Sequence, residues 1–184
     1  MSGSTASELA LQLAALRPVF AAARVDYAMM GGAAVMTYGL RARTRDLDFL
    51  VAGGDDALTR VATAAAEHGW RVERKSGWHI RLWRGAFFSD VVAGATELEH
   101  EAVRRASVRL LADQPVSTIA AEHLCALKLL AGRPRDLRDV GELHDAWVAL
   151  DVALVNALLR PFAVQWTPQP GEATPTLVDV VADD

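Results

Sequence analysis

Two aspartates one residue apart, Asp46 and Asp48, stand in the otherwise apolar stretch DLDFLVA, and this pair restricts the fold more than any other feature of the chain. In a strand, residues i and i+2 point to the same face, about 6.6 Å apart along the backbone. Both carboxylates therefore project from one side, while Leu47, Phe49 and Val51 face the core. Like charges placed in this way destabilise a sheet unless a cation lies near them.

Two further features accompany the aspartate pair. Gly31 and Gly32 precede a short helical stretch, AAVMTYG, and Asp90 lies in a second apolar strand, FFSDVVAG. Glycines at a strand-to-helix turn let backbone N–H groups approach a phosphate. Carboxylate oxygens are ligands that Mg²⁺ accepts together with substrate phosphates, and paired ions suit in-line displacement at phosphorus. Each feature alone is weak, but together they make Asp46, Asp48 and Asp90 candidate metal ligands.

Helix and strand signals alternate along the first two thirds of the chain. Ser4, Thr5 or Ser7 is expected to cap a first helix, SELALQLAALRPVFAAA. VDYAMM predicts a strand that ends at the glycine pair, and DLDFLVA predicts the second strand. Asp55 or Asp56 is expected to cap the next helix. The elements predicted after it are the strands WRVERKS, HIRLWRG and FFSDVVAG, a short solvated helix TELEHEAVRRA and a possible strand SVRLLAD.

From Ser117 onward the pattern becomes helical, and Ser117 itself gives a helix-start signal. The predicted fold class is therefore α+β, with a mixed β-sheet core and flanking helices over residues 1–116, followed by a C-terminal helical part packed on the core over residues 117–162. Residues 163–184 contain prolines and four acids, and they predict an acidic tail that packs through Trp166 and TLVDVV or is mobile.

The formal net charge of −4 comes from the end of the chain, because residues 161–184 carry four acids and neither Lys nor Arg. The neutral remainder argues against a broad nucleic-acid-binding surface but permits a local basic patch. Cys125 is the single cysteine, which indicates a reducing compartment and a buried, unreactive thiol. The first twenty residues lack the basic start of a signal peptide, and no apolar run reaches the roughly 18 residues of a membrane span. We expect a soluble cytoplasmic protein.

The order of a strand, Gly31-Gly32, a short helix, Asp46-x-Asp48 and a later strand with Asp90 resembles the DNA polymerase β-like nucleotidyltransferase superfamily. Many members carry Gly-Ser where this chain carries Gly-Gly. This version is similar to small bacterial nucleotidyltransferases related to AbiEii-type toxins, which also have a Lys, an Arg and Asp-x-x-Asp in helices after the sheet. Here that signature is LKLLAGRPRDLRDVGEL.

The resemblance implies a nucleotidyltransferase core and a reaction that moves a nucleoside monophosphate from an NTP such as ATP to an acceptor hydroxyl, with release of pyrophosphate. It implies that Asp46 and Asp48 hold two Mg²⁺ (or Mn²⁺) ions. Asp90 would hold the catalytic ion beside the acceptor hydroxyl, and Asp90 or a nearby group would help to remove the proton of that hydroxyl.

The resemblance also implies nucleotide-binding residues. Gly31 and Gly32 would cradle the triphosphate, and Lys128 would neutralise phosphate charge, with Arg133 as a weaker candidate for the same task. The implied acceptor is a tRNA, a partner protein or a small molecule such as an antibiotic, and the resemblance to toxins makes a cognate antitoxin a possible partner.

Other charged residues have two interpretations. Asp136 and Asp139 alternate with arginines at helical spacing, so an ion-pair network is at least as good an explanation as catalysis. Arg41, Arg43 and Arg45 are either phosphate or RNA contacts or plain solvated side chains. A basic and aromatic cluster could bind nucleic acid, although strand tryptophans usually serve the core. Its members are Arg71, Arg74, Lys75, Arg81 and Arg84, interleaved with Trp70, Trp78 and Trp83. His79, on the same strand as Arg81, is expected to be structural.

Three hypotheses of function follow. The first is an active nucleotidyltransferase. The second is a metal-dependent glycosyltransferase that uses Asp46 and Asp48, although the 45 residues before that pair are short for a nucleotide-sugar-binding region. The third is a catalytically inactive nucleotidyltransferase-like module that binds or regulates a partner. The presence of Asp90 and Lys128 in addition to the aspartate pair argues against this third hypothesis.

Overall fold

The computed structural model describes residues 3–41, 44–146, 149–168 and 176–177. They fall into two compact units, Met1–Ala120 and Ala121–Asp184. The elements described in the first unit are α1 (Gly3–Ala23), β1 (Tyr27–Met30), α2 (Gly31–Thr37), β2 (Leu47–Val51), α3 (Gly54–Glu67), β3 (Arg71–Ser76), β4 (His79–Arg84), β5 (Phe87–Ala93), α4 (Glu97–Arg104), β6 (Ser107–Leu111) and β7 (Gln114–Thr118).

The seven strands described in the first unit form one mixed sheet in the order β3-β4-β5-β2-β1-β7-β6. β3, β4 and β5 form an antiparallel meander. β5 then pairs in parallel with β2, and β2 pairs antiparallel with β1. β1 runs parallel to β7, which pairs antiparallel with β6. The prediction of an α+β fold with a mixed sheet is confirmed, and the topology makes the two acid-bearing strands, β2 and β5, direct neighbours.

The core of the first unit lies between one face of this sheet and the helices α1 and α3. On β2, Leu47, Phe49 and Val51 are fully buried in that core, as their alternation with the aspartates predicts. Each side chain of this size contributes roughly 1.5–3 kcal/mol when it leaves water. The leucine stripe of α1 completes the layer with Leu9, Leu13 and Leu16. This burial fixes which face of β2 carries the carboxylates.

Three predicted helix starts are wrong. α1 begins at Gly3, so Ser4, Thr5 and Ser7 lie inside that helix and do not cap it. Gly53, with a left-handed φ of 102°, and neither Asp55 nor Asp56, is the N-cap of α3, and both acids lie instead in its first turn. There the two carboxylates stabilise the helix through their attraction to the positive end of its dipole. Ser117 does not begin a helix, because it pairs with Val108 in the β6–β7 ladder, and α5 begins only at Ala121.

The second unit is helical. Its described elements are α5 (Ala121–Ala131), α6 (Pro134–Ala146), α7 (Val152–Leu159), a 3₁₀ turn (Arg160–Phe162), β8 (Val164–Gln165) and β9 (Thr176–Leu177). Of the predicted acidic tail, β8 and β9 pair antiparallel, whereas residues 169–175 and 178–184 lie outside the described residues. Trp166 is buried, and its backbone exchanges two hydrogen bonds with the Asn156 side chain. Among the described helices, none has the length and apolarity that crossing a membrane requires.

A buried amide ties α1 to the strand that carries Asp90. Gln12 is 1% exposed, and its Nε2 donates to Ser89 Oγ at 2.8 Å and to the carbonyl of Phe88. We predict that Gln12→Leu lowers the free energy of unfolding by about 1–3 kcal/mol, because two acceptors lose their donor in the interior. Urea unfolding followed by circular dichroism measures the change.

The matched control is the double variant Gln12→Leu/Ser89→Ala. Since it removes one of the two unsatisfied acceptors, it is expected to be more stable than Gln12→Leu alone. A Gln12→Leu protein as stable as wild type would show that this amide does not anchor α1.

Candidate active site

The register of β2 and β5 brings the three candidate metal ligands together. Asp48 and Asp90 are partners in the parallel ladder, and Asp46 directly precedes β2. One carboxylate oxygen from each of the three residues lies within 4.8 Å of the other two, and all three residues are partly buried. Three hard oxygen donors at this separation fit a Mg²⁺ or Mn²⁺ ion. The structure therefore brings the three acids together, and metal binding by them stays a prediction.

Gly31 lies against this cluster for a steric reason. Its φ is +70°, a left-handed conformation that favours glycine, and a Cβ on this residue would lie 2.1 Å from Oδ2 of Asp48. No other residue fits there without displacing the carboxylate. Gly32, by contrast, meets Thr44, whose Cβ would lie 2.9 Å from a Cβ at position 32.

Two residues of β4 hold the Asp90 carboxylate. Arg81 forms a bidentate ion pair with it, from Nε to Oδ1 at 2.8 Å and from Nη2 to Oδ2 at 2.7 Å. His79 Nε2 lies 2.9 Å from the same Oδ1. A parallel pair of N–H···O bonds from a guanidinium is among the strongest contacts that a carboxylate makes. Asp90 is thus fixed in orientation and partly neutralised.

These contacts set the proton affinity of Asp90. Its partial burial would raise the pKa, but the hydrogen bonds from Arg81 and His79 and the charge of Arg81 outweigh burial, so the pKa of Asp90 lies below its ordinary value. In return, the hydrogen bond to Asp90 raises the pKa of Arg81. Asp90 is therefore ionised at neutral pH, which is the state in which a carboxylate can bind a cation.

Sequence patterns do not identify three residues of this neighbourhood. Arg81 belongs to the basic and aromatic cluster, and His79 is expected to be structural. Thr44 has no predicted role, although its Oγ1 donates to Oδ1 of Asp46 at 2.6 Å. For Arg81 a signal exists: the two-residue turn between Arg84 and Phe87 fixes a register that sets Arg81 opposite Asp90.

Three of the five basic residues in the basic and aromatic cluster form ion pairs with acids of the first unit. Arg74 pairs with Asp55, and Lys75 pairs with Glu73. The indole N–H of Trp83 donates to Glu73 at 2.9 Å, while the guanidiniums of Arg71 and Arg81 lie 5.1 and 5.7 Å from the centre of its ring. Trp70 is buried in the core, as strand tryptophans usually are, and Trp78 is 58% exposed.

Among the arginines ahead of the aspartate pair, the side chains of Arg41 and Arg45 are exposed, and Arg43 lies outside the described residues.

In the second unit, Lys128 belongs to a buried ion-pair network between α5 and α6. Its Nζ donates to Asp136 at 3.2 Å and to Asp139 at 2.6 Å, and Arg133 donates to Asp136. Burial would raise the pKa of Asp136, but the bonds from Arg133 and Lys128 keep it below its ordinary value. The ion-pair interpretation of Asp136 and Asp139 thus agrees with the contacts. The two bonds use two of the three N–H groups of Lys128.

Cys125 is fully buried on α5, where burial raises the pKa of its thiol to about 12. A thiol with so high a pKa is neutral and a poor nucleophile at physiological pH.

No protein-family model matches the chain, and no curated protein matches it. Solved structures do match. ANT(2'')-Ia in complex with adenylyl-2''-tobramycin is similar at a TM-score of 0.58 and 18% identity, over 83% of this chain and 97% of that chain. The lincosamide antibiotic adenylyltransferase LnuA, bound to lincomycin, is similar at a TM-score of 0.52 and 18% identity, over 76% of this chain and 96% of that chain.

A third match is an antigenic nucleotidyltransferase-like protein from Paracoccidioides brasiliensis, at a TM-score of 0.52 and 15% identity, over 85% of this chain and 86% of that chain. The identities are low, and what these matches have in common with the chain is the fold. The chain has the nucleotidyltransferase fold.

The Arg81–Asp90 pair predicts a pH-dependent stability in chelator. We expect Arg81→Gln to lower the free energy of unfolding by about 2 kcal/mol at pH 7, since the variant loses charge-assisted bonds to a carboxylate. The folded pKa of Asp90 is depressed, so this stability is present above the ordinary aspartate pKa of about 4 and is lost as the pH falls through the folded pKa. Urea unfolding in chelator, at pH values from about 3 to about 7, measures the free energy of unfolding of the wild type and of Arg81→Gln.

Arg74→Gln is the matched control, because the Arg74–Asp55 pair is exposed, at 45% and 67% of the side chains. It is expected to change stability by less than about 1 kcal/mol at every pH. An Arg81→Gln loss that is the same at both ends of the range would contradict the linkage to Asp90.

Proposed function

We propose that the chain is a metal-dependent nucleotidyltransferase that moves a nucleoside monophosphate from an NTP to an acceptor hydroxyl and releases pyrophosphate. The observation that carries the proposal is the meeting of Asp46, Asp48 and Asp90, with carboxylate oxygens within 4.8 Å of one another, in a nucleotidyltransferase fold. Three partly buried carboxylates repel one another and attract a divalent cation. Their oxygens suit Mg²⁺ or Mn²⁺.

In the proposed reaction, the acceptor oxygen forms a bond to the α-phosphorus of the NTP, and the bond from that phosphorus to the bridging oxygen breaks. Pyrophosphate leaves with the electron pair, and the hydroxyl proton passes to water. A bound Mg²⁺ or Mn²⁺ ion would supply Lewis-acid charge at the phosphate oxygens. Asp46 and Asp48 would hold that ion, and Arg81 and His79 fix the orientation of the Asp90 carboxylate. Catalysis then rests on positioning and charge stabilisation.

Nucleotide binding by Gly31 and Gly32 is part of the proposal. The backbone of Gly31 lies close to the Asp48 carboxylate and carries no side chain there. A triphosphate bound to the same metal ion as Asp48 would therefore meet no side chain of residue 31 as it approaches. For Lys128 and Arg133, nucleotide binding stays a prediction. So does membership of the AbiEii-type branch, which is supported by the Lys, Arg and Asp signature of α5 and α6 in the sequence.

For the acceptor, we favour a small hydroxylated molecule over tRNA. A protein that binds RNA needs cationic groups free to neutralise phosphates. In the basic cluster, Arg74, Lys75 and Arg81 already pair with acids of the same unit. Two of the structurally similar proteins are described as an antibiotic-resistance factor, ANT(2'')-Ia, and as a lincosamide antibiotic adenylyltransferase, LnuA. A protein acceptor or an antitoxin partner is the next alternative.

The other two hypotheses have less support. The similarity of the fold is to nucleotidyltransferases, which disfavours a glycosyltransferase. An inactive module would have no use for three carboxylates within 4.8 Å of one another beside a glycine whose missing side chain leaves room for one of them.

The test is label transfer from each of the four α-labelled NTPs with Mg²⁺ or Mn²⁺. Aminoglycosides, lincosamides, total tRNA and a protein lysate are offered as acceptors. We predict that a small-molecule acceptor becomes labelled, and that Asp46→Asn lowers the rate by at least about 100-fold, the loss typical of removing one group that stabilises transition-state charge.

Asp56→Asn is the matched control, since Asp56 is an exposed aspartate in the first turn of α3, and it should leave the rate unchanged. In chelator, Asp46→Asn is expected to be at least as stable as wild type, because the variant relieves repulsion and its amide oxygen still accepts the Thr44 hydroxyl. Labelled tRNA would overturn the choice of acceptor. Label transfer that survives in Asp46→Asn, or turnover of nucleotide-sugars in place of NTPs, would overturn the proposed function.

A further inference from the structure

Thr44 forms a short hydrogen bond with the side chain of Asp46. Its hydroxyl donates to Oδ1 of Asp46 at 2.6 Å and lies 3.2 Å from the Asp46 carbonyl oxygen. An O–H···O⁻ bond of this length is of the strong, charge-assisted kind. The terminal torsion of an aspartate is otherwise broad and nearly two-fold. The Thr44 bond removes that freedom at a residue that lies just outside the regular ladder of β2.

The same side chain fills the space beside Gly32. A Cβ at Gly32 would lie 2.9 Å from Cβ of Thr44 and 3.3 Å from its Oγ1. Gly32 lies within α2 and is not among the residues with left-handed φ. The backbone would therefore accept a side chain at position 32, and Thr44 is what prevents one. Gly31 differs, since its own φ of +70° and the Asp48 carboxylate both exclude a side chain.

We propose that Thr44 is a positioning residue that acts through Asp46, and that residue 32 is glycine because Thr44 needs that space. With one lone pair of Oδ1 engaged by the hydroxyl, the rest of the Asp46 carboxylate is held ready for a divalent cation. Thr44 and Gly32 thereby form one coupled pair, although twelve positions separate them in the sequence. This inference rests on the proposed function, since it concerns the metal site of that function.

The test is Mn²⁺ binding to the purified full chain, followed as the loss of the free Mn²⁺ signal in electron paramagnetic resonance. Thr44→Val keeps the branched shape and removes the hydroxyl, and we expect it to weaken Mn²⁺ binding by about 10-fold, the lower end of the effect of a lost partner of a metal ligand. Thr44→Ser keeps the hydroxyl and should bind as wild type does. In chelator, Thr44→Ser should melt as wild type does, while Thr44→Val should melt lower, because it loses a hydrogen bond to a carboxylate, and should still unfold in one cooperative transition.

The coupling is tested in a Thr44→Gly background. Gly32→Ala alone should weaken Mn²⁺ binding, because its Cβ pushes Thr44 away from Asp46. In the Thr44→Gly background, the same change should cause no further loss, because the side chain that it meets is gone. Gly31→Ala is the control, and its loss should persist in that background, since its strain does not involve Thr44.

The outcomes separate the two proposals. If Asp46→Asn weakens Mn²⁺ binding and Thr44→Val does not, the role of Thr44 is overturned and the proposed function stands. If Asp46→Asn binds Mn²⁺ as wild type does, the metal site itself is wrong. Additive losses from Gly32→Ala and Thr44→Gly would overturn the coupled pair.

Discussion

Repulsion among three carboxylates is the constraint on which the rest of the first unit depends. Two unit charges about 4.8 Å apart in a medium of effective dielectric constant 20 repel by on the order of 3 kcal/mol, and three acids make three such pairs. The fold accepts this cost because the opposite face of β2 is anchored by Leu47, Phe49 and Val51, which are fully buried. A slip of one residue in the strand would expose that apolar set and bury the acids. The hydrophobic core thus holds the aspartates at positions where their like charges repel one another.

The compensation for this repulsion is uneven. Asp90 receives a guanidinium, so much of its charge is neutralised by Arg81. Asp46 accepts a hydrogen bond from the neutral hydroxyl of Thr44. Three donors on Asp90 occupy most of the roughly four acceptor positions of a carboxylate. The side chains of Asp46 and Asp90 therefore differ in the kind of donor that contacts them, although the two residues are chemically identical.

The sequence predicts this arrangement as far as local rules reach. Alternation identifies the faces of β2, and the short turn before Phe87 sets Arg81 opposite Asp90 by counting residues back along the hairpin. Asp48 and Asp90 are paired in the parallel ladder, although they lie 42 positions apart in the sequence, with β3 and β4 between them along the chain. No local signal specifies this pairing. β7 was missed because Pro115 argues against a strand inside a sheet and Ser117 resembles a helix cap. In the second unit, the spacing of Asp136 and Asp139 indicated ion pairs but did not identify Lys128 as their common partner.

The glycine pair shows why a motif is a poor guide to the physics that it encodes. Gly31 is restricted both by its own backbone conformation and by the Asp48 carboxylate. Gly32 has an unstrained backbone and is restricted only by a side chain from the segment that leads into β2. A sequence records both as the same letter. The first glycine is thus tied to an acid of the site, and the second is tied to the residue that orients another acid, so two adjacent positions depend on two different carboxylates.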